Sequence, residues 1–495
     1  MRLSWRIVRD GSNLGTLILL VGLLLAVPLL ALPFFPEEAG FLPAFLIPAA
    51  ASAAVGCGIC LSTYQNKADD ADRLRSARQG AARTLVVWAY SFLMGALPFV
   101  LAGQLDFVQA LFESVSGWTT TGLSVVDVAA TPRIFLLHRS FMQYCGGVGF
   151  VLMITMVVSG KQSMALYSAE GHPDMIRPNL RQTSRRIMAF YAALLAAGTL
   201  LYRVFGMDLF DAVCHAMSAL ATAGFTTQPG GIGSYGSLPI EAVTTALMLI
   251  GASNFAVLLL LTQGKLRQVF KVTEMRFMFG LLAVFIPLMT GAFALGSGMG
   301  FWESLRHAVF GTVAAFSTTG YALTEHTAWP QLAFGLMMLL IFIGGSMGST
   351  SGGIKLLRAY FVLRITRENV RKRFSPAIKT VAPTYTAVRG KVPIDAGLVS
   401  DTFGFIACYA GIIVAGTLLL TLTADCSVFE AMFEFASVFG TSGITAGLTN
   451  ASTNTPTLIV EMVGMTLGRL EIFAVFIGLV SGVRWAKGLI LRRKG

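Results

Sequence analysis

The chain has 495 residues, of which 55% are hydrophobic and only 13% are charged, whereas a soluble globular domain has about 25% charged residues. Together with a mean hydropathy of +0.70, this composition excludes an ordinary cytosolic enzyme, a disordered regulator and a small disulfide-rich secreted protein, and it indicates a membrane protein. A net charge of +12 would suit a nucleic-acid-binding protein, but the bases stand in short stretches between apolar runs, as in loops that orient a membrane protein.

Ten stretches of the chain are apolar and approach the roughly 20 residues that cross the hydrocarbon core of a bilayer. Two are less regular than the others, because the fifth is short and the tenth contains Glu461, Arg469 and Glu471. The first follows three arginines, but its apolar run is longer than the core of a signal peptide, so a helix is predicted there. The predicted spans are residues 14–35, 40–63, 84–104, 140–160, 187–202, 242–264, 277–302, 331–354, 402–424 and 457–483.

Lysine and arginine are concentrated on one side of the predicted array of spans. Most of the 37 bases lie at the N-terminus, near the C-terminus and in every second connection, which identifies these segments as cytoplasmic by the positive-inside rule. An even number of spans then places both termini in the cytoplasm. The opposite connections contain few bases and many acids, so that side of the protein is expected to attract cations.

An internal repeat follows the third, fifth, seventh and ninth spans. Each of these spans is followed by a stretch of about 15 residues, which is too short to cross the membrane. The four stretches align without gaps on one glycine, with a threonine two residues before it and an alanine twelve residues before it. The aligned glycines are Gly122, Gly224, Gly320 and Gly443.

The repeat predicts the fold class, an all-α polytopic membrane protein with ten transmembrane helices and four re-entrant pore loops around a central pore. Residues 1–83 form an N-terminal two-helix extension. The four helix, pore-loop, helix repeats cover residues 84–160, 161–264, 265–360 and 361–495, and the last includes a basic cytoplasmic linker and the C-terminus.

Each short stretch is predicted to be a helix that enters the membrane from outside and ends halfway across it. Acids near its start suit the positive end of the helix dipole. The returning backbone is tolerated in the membrane only if protein buries it or it lines a water-filled path, and a glycine at the turn permits positive φ angles. Four such turns could form one ring of carbonyl oxygens that replaces the hydration shell of a cation. Small residues that merely pack helices are the alternative, and four glycines in register argue against it.

Four motifs make the sequence similar to a known family: F-E-S-V-S-G-W-T-T-T-G at 112–122, S-A-L-A-T-A-G-F at 218–225, G-G-S-M-G-S-T-S-G-G-I-K at 344–355 and G-R-L-E at 468–471. Over residues 84–483 the chain resembles the superfamily of bacterial Trk and Ktr and plant HKT potassium transporters, and its two additional N-terminal helices resemble the TrkH and TrkG branch. The fourth loop, G-T-S-G-I-T, departs from that branch. The resemblance implies a potassium-binding filter made of Thr120, Thr121, Gly122, Thr222, Ala223, Gly224, Thr318, Thr319, Gly320, Thr441, Ser442 and Gly443.

The eighth predicted span contains five glycines in ten residues. Each glycine costs about 1 kcal/mol relative to alanine in a helix, so the helix should break there, and the family resemblance implies a gating loop beneath the filter. Two motifs of soluble enzymes overlap this stretch: a nucleophile elbow around Ser346 and a phosphate-binding loop at residues 348–355. Neither follows a strand of an α/β domain, as those motifs require. The predicted gate residues are Gly344, Gly345, Gly348, Gly352, Gly353, Lys355 and Arg469.

Arg469 is a charge deep within the tenth predicted span, where insertion costs about 2.5 to 3.5 kcal/mol. It must therefore face water or a partner. One interpretation is a positive charge beneath the filter that holds the gating loop or raises a barrier to cations. The other is a buried ion pair with Glu461 or Glu471 on the same helix.

The resemblance implies potassium uptake across the bacterial inner membrane, with no bond made or broken and hence no enzyme activity. It also implies a homodimer and a separate TrkA-like cytoplasmic nucleotide-binding regulatory subunit. No nucleotide bound by this chain and no nucleic-acid partner are predicted, and the basic inner loops are expected to meet lipid headgroups. The alternatives are a sodium-coupled or sodium-permeable Ktr-type cation transporter, a membrane enzyme that uses the serines of the glycine-rich loop, and the potassium-binding subunit of an ATP-driven pump.

Overall fold

Helices account for nearly all regular structure in the computed structural model, which describes residues 13–65, 76–148, 180–324, 329–374, 383–388, 390–470 and 472–480. In chain order the α-helices are α1 Asn13–Ala26, α2 Leu42–Gln65, α3 Ser76–Leu101, α4 Phe107–Trp118, α5 Arg133–Val148, α6 Leu180–Val204, α7 Leu209–Leu220, α8 Leu238–Gly251, α9 Phe255–Thr262, α10 Leu266–Val269, α11 Thr273–Gly296, α12 Phe301–Phe316, α13 Gln331–Ile343, α14 Leu356–Phe374, α15 Ala396–Thr423, α16 Val428–Phe439, α17 Thr455–Arg469 and α18 Ile472–Val480. Three 3₁₀ segments lie at Val27–Phe34, Pro36–Phe41 and Gly231–Tyr235.

Six described segments are helical, apolar and long enough to cross a membrane, or up to eight if each of two bent pairs counts as one span. The six coincide with the predicted spans at 14–35, 40–63, 84–104, 187–202, 277–302 and 402–424. The predicted span at 242–264 is the pair α8 and α9, bent by 112°, and the one at 457–483 is the pair α17 and α18, bent by 102°. The predicted span at 331–354 is helical only as far as Ile343, and most of the predicted span at 140–160 lies outside the described residues.

Four short helices, α4, α7, α12 and α16, alternate with the long ones, as the repeat predicts. Each packs between the long helix before it and the helix that follows it. Side chains of Asp106 and Asp208 cap α4 and α7, and Ser427 with Glu430 forms a capping box on α16, so acids and hydroxyls satisfy the free amides at the positive helix ends. All four helices end four residues before the aligned glycine.

The long helices are apolar on both their inner and their outer faces. Inner residues form three hydrophobic clusters around the short helices. Outer residues such as Leu295 and Leu422 are more than 80% exposed, which in water would be unfavourable but suits contact with lipid chains. The side from which the four short helices begin is called the entry side below.

One small antiparallel sheet, β1 Thr384–Ala387 with β2 Gly390–Pro393, lies in the basic linker between α14 and α15 and pairs Thr384 with Pro393. The Thr386 amide donates to the Thr273 hydroxyl at the start of α11, and the rings of Tyr385 and Phe361 pack 5.0 Å apart. The all-α prediction did not include this hairpin. Part of the linker is therefore folded onto the helices.

The N-terminal extension is attached to α5 by a buried carboxylate. Glu38, in the second 3₁₀ segment, accepts hydrogen bonds from the amides of Arg133 and Ile134, both at 2.8 Å. These are the first two residues of α5, whose amides lack partners within the helix. A residue distant in sequence thus caps this helix.

Glu38→Ala is expected to destabilise the protein by about 1 to 2 kcal/mol, because it removes the carboxylate cap of α5. Glu37→Ala is the matched control, since Glu37 is exposed. Thermal unfolding of the detergent-solubilised variants measures both effects. If the two variants melted at the same temperature, the cap would contribute nothing to stability.

Candidate functional site

The four T-x-G turns, residues 120–122, 222–224, 318–320 and 441–443, lie together in a closed ring. Each glycine stands so close to the next turn that a Cβ atom on it would collide with the carbonyl oxygen of that turn's middle residue. The fourth turn meets the first, so the ring closes in chain order. The contacts are Gly122 with Ala223, Gly224 with Thr319, Gly320 with Ser442 and Gly443 with Thr121.

The turns share one backbone conformation, with positive φ at the threonine and at the glycine. The φ angles are 58°, 52°, 55° and 50° at Thr120, Thr222, Thr318 and Thr441, and 92°, 85°, 76° and 72° at Gly122, Gly224, Gly320 and Gly443. Positive φ is uncommon for a β-branched residue and costs roughly 1 to 3 kcal/mol. Its occurrence at four equivalent threonines indicates a conformation that the surrounding structure imposes.

Hydrogen bonds at the ends of the short helices explain this conformation. The amide of Thr120 donates to the Gly117 carbonyl, and the amide of Thr121 donates to the Ser116 carbonyl. This is the Schellman pattern that ends many helices, with threonine in the left-handed position where glycine is usual. The other three turns repeat both hydrogen bonds. The amides therefore face back to the helix, and the carbonyl oxygens of the turn are free to face elsewhere.

The ring has a glycine side and a threonine side. Side chains of the threonines and of the middle residues are fully buried, whereas the four glycines are partly exposed. The glycine side is therefore the more accessible side of the ring, and the negative C-terminal ends of the four short helices point toward the ring. The arrangement offers a cation carbonyl oxygens and helix dipoles without an acidic side chain.

The glycine-rich loop, residues 344–355, lies against the threonine side of the ring. The Thr350 hydroxyl is 2.8 Å from the Thr222 hydroxyl, and the Gly352 amide donates to the Thr318 hydroxyl at 2.9 Å. A Cβ atom on Gly352 would meet the Gly440 carbonyl and the Thr441 hydroxyl. The loop thus contacts three of the four turns directly.

The other face of the loop occupies the break between α8 and α9. The amide of Ser346 donates to the Ala252 carbonyl at 2.9 Å, and the amide of Phe255 donates to the Gly348 carbonyl at 3.0 Å. The carboxylate of Glu274, a residue to which no sequence motif points, accepts from the Met347 amide at 2.6 Å. Two interrupted helices therefore satisfy each other's backbone groups, as non-helical backbone within a membrane requires.

The two predicted gate cations border the same small cavity next to the loop. Lys355 has φ of 82°, and its ammonium group donates to the Ser351 carbonyl. Arg469, the last residue of α17, donates to the Gly146 carbonyl at 2.6 Å. The cavity has a volume of about 20 Å³, which is room for about one water molecule. It is lined by Gly348, Ser349, Ser351, Gly352, Gly353, Lys355, Phe405, Tyr409, Phe439, Leu467, Gly468, Arg469 and Ile472.

All the predicted site residues thus fall into two adjoining groups. The twelve filter candidates form the ring, and the seven gate candidates belong to the loop or to the wall of the small cavity, although Gly344 and Gly345 lie at the loop's far end beside α13. The ion pair considered for Arg469 is not formed with Glu461, which contacts Thr449 instead, and Glu471 lies outside the described residues. In the described part of the chain, no group of three or more His, Cys, Asp or Glu side chains could hold a metal ion.

Comparison with known proteins gives consistent matches over nearly the whole chain. Residues 59–482 match the TrkH family, described as a cation transport protein. The chain is 30% identical to the Trk system potassium uptake protein TrkH of Halomonas elongata, covering 96% of this chain and 98% of that protein. It is 29% identical to TrkG of Escherichia coli, covering 95% and 97%. Its fold is similar to the crystal structure of the potassium transporter TrkH from Vibrio parahaemolyticus, with a TM-score of 0.82 and 24% identity over 96% and 98% of the two chains.

Gly320→Ala is expected to lower the thermal unfolding midpoint, because the added methyl group must displace the Ser442 carbonyl and alanine is strained at this φ. Gly335→Ala on α13 is the control, since nothing lies within 4 Å of a Cβ atom there; alanine should be neutral or slightly stabilising at that helical position. Similar midpoints for the two variants would contradict a closed ring.

Proposed function

The chain belongs to the TrkH family of cation transport proteins, and from this we propose that it takes up potassium ions across the bacterial inner membrane. The relatives reported above are named as Trk system potassium uptake proteins, and they align with nearly the whole chain. Uptake of an ion makes and breaks no bond, so the protein is a transporter and not an enzyme. An inside-negative membrane potential contributes about 2.3 kcal/mol per charge per 100 mV, which favours accumulation of potassium.

The closed ring of T-x-G turns is the observation that carries this proposal. The amides of the threonine and of the middle residue in each turn are hydrogen-bonded to the short helix before it, so the carbonyl oxygens face away from that helix. The Ala223 carbonyl also accepts from the Gln143 side-chain amide at 2.9 Å, and a carbonyl oxygen has a second lone pair for a dehydrated cation. Helix dipoles favour a positive charge there, and the absence of an acidic ligand suits an ion that must leave as well as enter. The proposed potassium ligands are the carbonyl oxygens of the ring residues Thr120 to Gly122, Thr222 to Gly224, Thr318 to Gly320 and Thr441 to Gly443.

The glycine-rich loop and Arg469 act as the gate in this proposal. The loop lies against the threonine side of the ring, and the adjoining cavity has space for only about one water molecule. A potassium ion leaving the ring would meet the loop, and then the positive charges of Lys355 and Arg469. Opening therefore requires the hydrogen bonds of Thr350 and Gly352 to the ring to break.

The rest of the predicted organisation extends the proposal. A two-helix extension followed by eight spans in four repeats makes ten spans, which would place both termini in the cytoplasm and the acid-capped ends of the short helices outside. The relatives are named as proteins of a "Trk system", which supports a second component. For this component a TrkA-like nucleotide-binding subunit at the basic inner loops is proposed. A homodimer is proposed from the family resemblance.

A sodium-permeable or sodium-coupled Ktr-type transporter is the second candidate. Each turn has one glycine with left-handed φ, which allows fewer stacked carbonyl sites than a filter with two glycines. The fourth loop, G-T-S-G-I-T, also departs from the TrkH and TrkG branch. Reversal potentials in mixed sodium and potassium solutions separate the two candidates. A value that follows the potassium gradient alone supports potassium uptake, and one that moves with sodium supports the alternative.

Gly224→Ser is expected to abolish growth rescue of a potassium-uptake-deficient bacterium at low external potassium, because its side chain would displace the Thr319 carbonyl from the ring. Gly280→Ser on α11 is the control, because a Cβ atom there meets nothing within 4 Å. Both variants are quantified in the membrane fraction. Equal rescue by the two would remove the filter assignment.

Arg469→Ala is expected to increase potassium flux several-fold in proteoliposomes that contain the chain alone, since it removes a positive charge from the exit of the pore. Arg276→Ala, which removes an exposed cation from α11, should leave flux unchanged. Flux is measured per folded protein. Unchanged flux with reduced yield of folded Arg469→Ala would assign the arginine a packing role through its bond to the Gly146 carbonyl.

A further inference from the structure

Two acids face each other in the interior of the protein, on the entry side of the fourth T-x-G turn. Glu434 lies on α16, nine residues before Gly443, and Glu461 lies on α17; both side chains are 0% exposed. The Thr449 hydroxyl lies between them, 2.6 Å from Glu434 Oε1 and 3.0 Å from Glu461 Oε1. Two ionised carboxylates so placed would repel each other in a medium that solvates neither.

The hydrogen bonds around Glu434 fit an ionised carboxylate. Its oxygens accept from the Thr445 hydroxyl at 2.8 Å and from the Ala446 amide at 2.7 Å, in addition to Thr449. An ionised carboxylate only accepts hydrogen bonds, and three donors serve this one. Glu434 therefore needs no proton of its own.

Glu461 has no comparable set of donors. A threonine hydroxyl carries one hydrogen, and the shorter contact assigns that of Thr449 to Glu434. The remaining contact, between Thr449 and Glu461 Oε1, is a hydrogen bond only if Glu461 donates it. The second oxygen of Glu461 has no hydrogen-bond partner in the described part of the chain. The count of hydrogens thus places a proton on Glu461.

In the first segment an arginine, and not a second acid, faces the equivalent glutamate. Glu113, nine residues before Gly122, accepts from the Ser124 hydroxyl and the Val125 amide, both at 3.1 Å, as Glu434 does from Thr445 and Ala446. Its counter-charge is the buried Arg139, the seventh residue of α5. Glu461 is the seventh residue of α17. The fourth segment therefore has a carboxyl group where the first has a guanidinium.

We propose that Glu434, Thr449 and Glu461 form a proton-binding site, in which Glu461 holds the proton and donates it to Thr449, and Thr449 donates to the ionised Glu434. Loss of the proton leaves two negative charges behind the fourth turn. None of these three residues belongs to the proposed filter or gate. The proposed proton site therefore does not depend on whether the protein carries potassium.

No other charge in the described residues takes the place of this proton. Neither acid forms an ion pair with a described lysine or arginine, and α13, which packs on α16, has no ionisable residue. Arg469 is eight residues further along α17 and bonds to the Gly146 carbonyl. The other ionisable groups on the elements packed around the pair are Asp106 and Glu113 on the α4 side, Asp401, Cys408 and Tyr409 on α15, and Asp425, Cys426 and Glu430 at the start of α16.

The proposal predicts how stability depends on pH. The native chain holds a proton that an unfolded glutamate, with its ordinary pKa of about 4.3, releases, so stability falls as pH rises. One such proton changes the folding equilibrium constant about tenfold per pH unit between the unfolded and the folded pKa. Thermal unfolding of the full chain in detergent from pH 5 to pH 9 should therefore show a decline that is smaller in Glu461→Gln, which keeps an amide donor for Thr449. The exposed acid Glu430 supplies the control, Glu430→Gln, whose decline should match that of the unchanged chain.

Infrared spectroscopy tests the proton directly, and the absence of its band from the unchanged chain would contradict the proposal even if Glu461→Gln did not fold. The unchanged chain at pH 6 should show the carbonyl stretch of a buried protonated carboxyl group, shifted in D₂O. Glu461→Gln should lose this band, and Glu434→Gln should keep it. No such band in the unchanged chain, or a band that survives in folded Glu461→Gln, would overturn the proposal. A sodium or potassium dependence of the unfolding midpoint that Glu461→Gln removes at constant pH would also overturn it, because a metal ion would then lie between the acids.

Discussion

The geometry of both the ring and the glycine-rich loop is governed by the direction in which the backbone groups point at the ends of the four short helices. A Schellman pattern ties the amides of Thr120 and Thr121 back to α4, and the other three turns repeat it. Each left-handed threonine is strained by roughly 1 to 3 kcal/mol, and tight contacts with the next turn hold it. Because each glycine stands against the next turn's carbonyl, a displacement of one turn moves its neighbours. The ring is therefore a single mechanical unit.

The interrupted helices follow from the same requirement that backbone groups be satisfied in a membrane. The break between α8 and α9 exposes the Ala252 carbonyl and the Phe255 amide, and the glycine-rich loop bonds to both. The loop's other face meets the hydroxyls of Thr222 and Thr318. Ring and loop are thus joined by a few neutral hydrogen bonds, each worth about 1 kcal/mol net. Such a connection is specific and weak enough to be reversible.

The four segments share a backbone and differ in what supports it. At the position nine residues before the glycine, the first and fourth segments have Glu113 and Glu434, which bind the returning chain. The second has His215, which bonds to the Asp211 carbonyl, and the third has Gly311, beside the Trp329 ring. A carboxyl group thus stands at this position in the first and fourth segments, and an imidazole or no side chain in the other two. A fourfold ring of main-chain atoms is therefore held by four chemically distinct surroundings, and only the ring itself is symmetric.

Sequence alone was enough to predict the membrane class, the four aligned T-x-G turns and the helix break among the glycines, because hydropathy, a repeated register and the low helix propensity of glycine are local properties. How these parts meet is visible only in three dimensions. Closure of the ring, the docking of the loop in the α8–α9 break, and the roles of Glu38, Glu274 and Glu461 depend on residues far apart in the chain, and no local pattern records which acid caps a helix, holds a loop or keeps a proton. The hairpin at 384–393 and the bends of 112° and 102° belong to this second group, since an apolar stretch has the same hydropathy whether it is straight or bent.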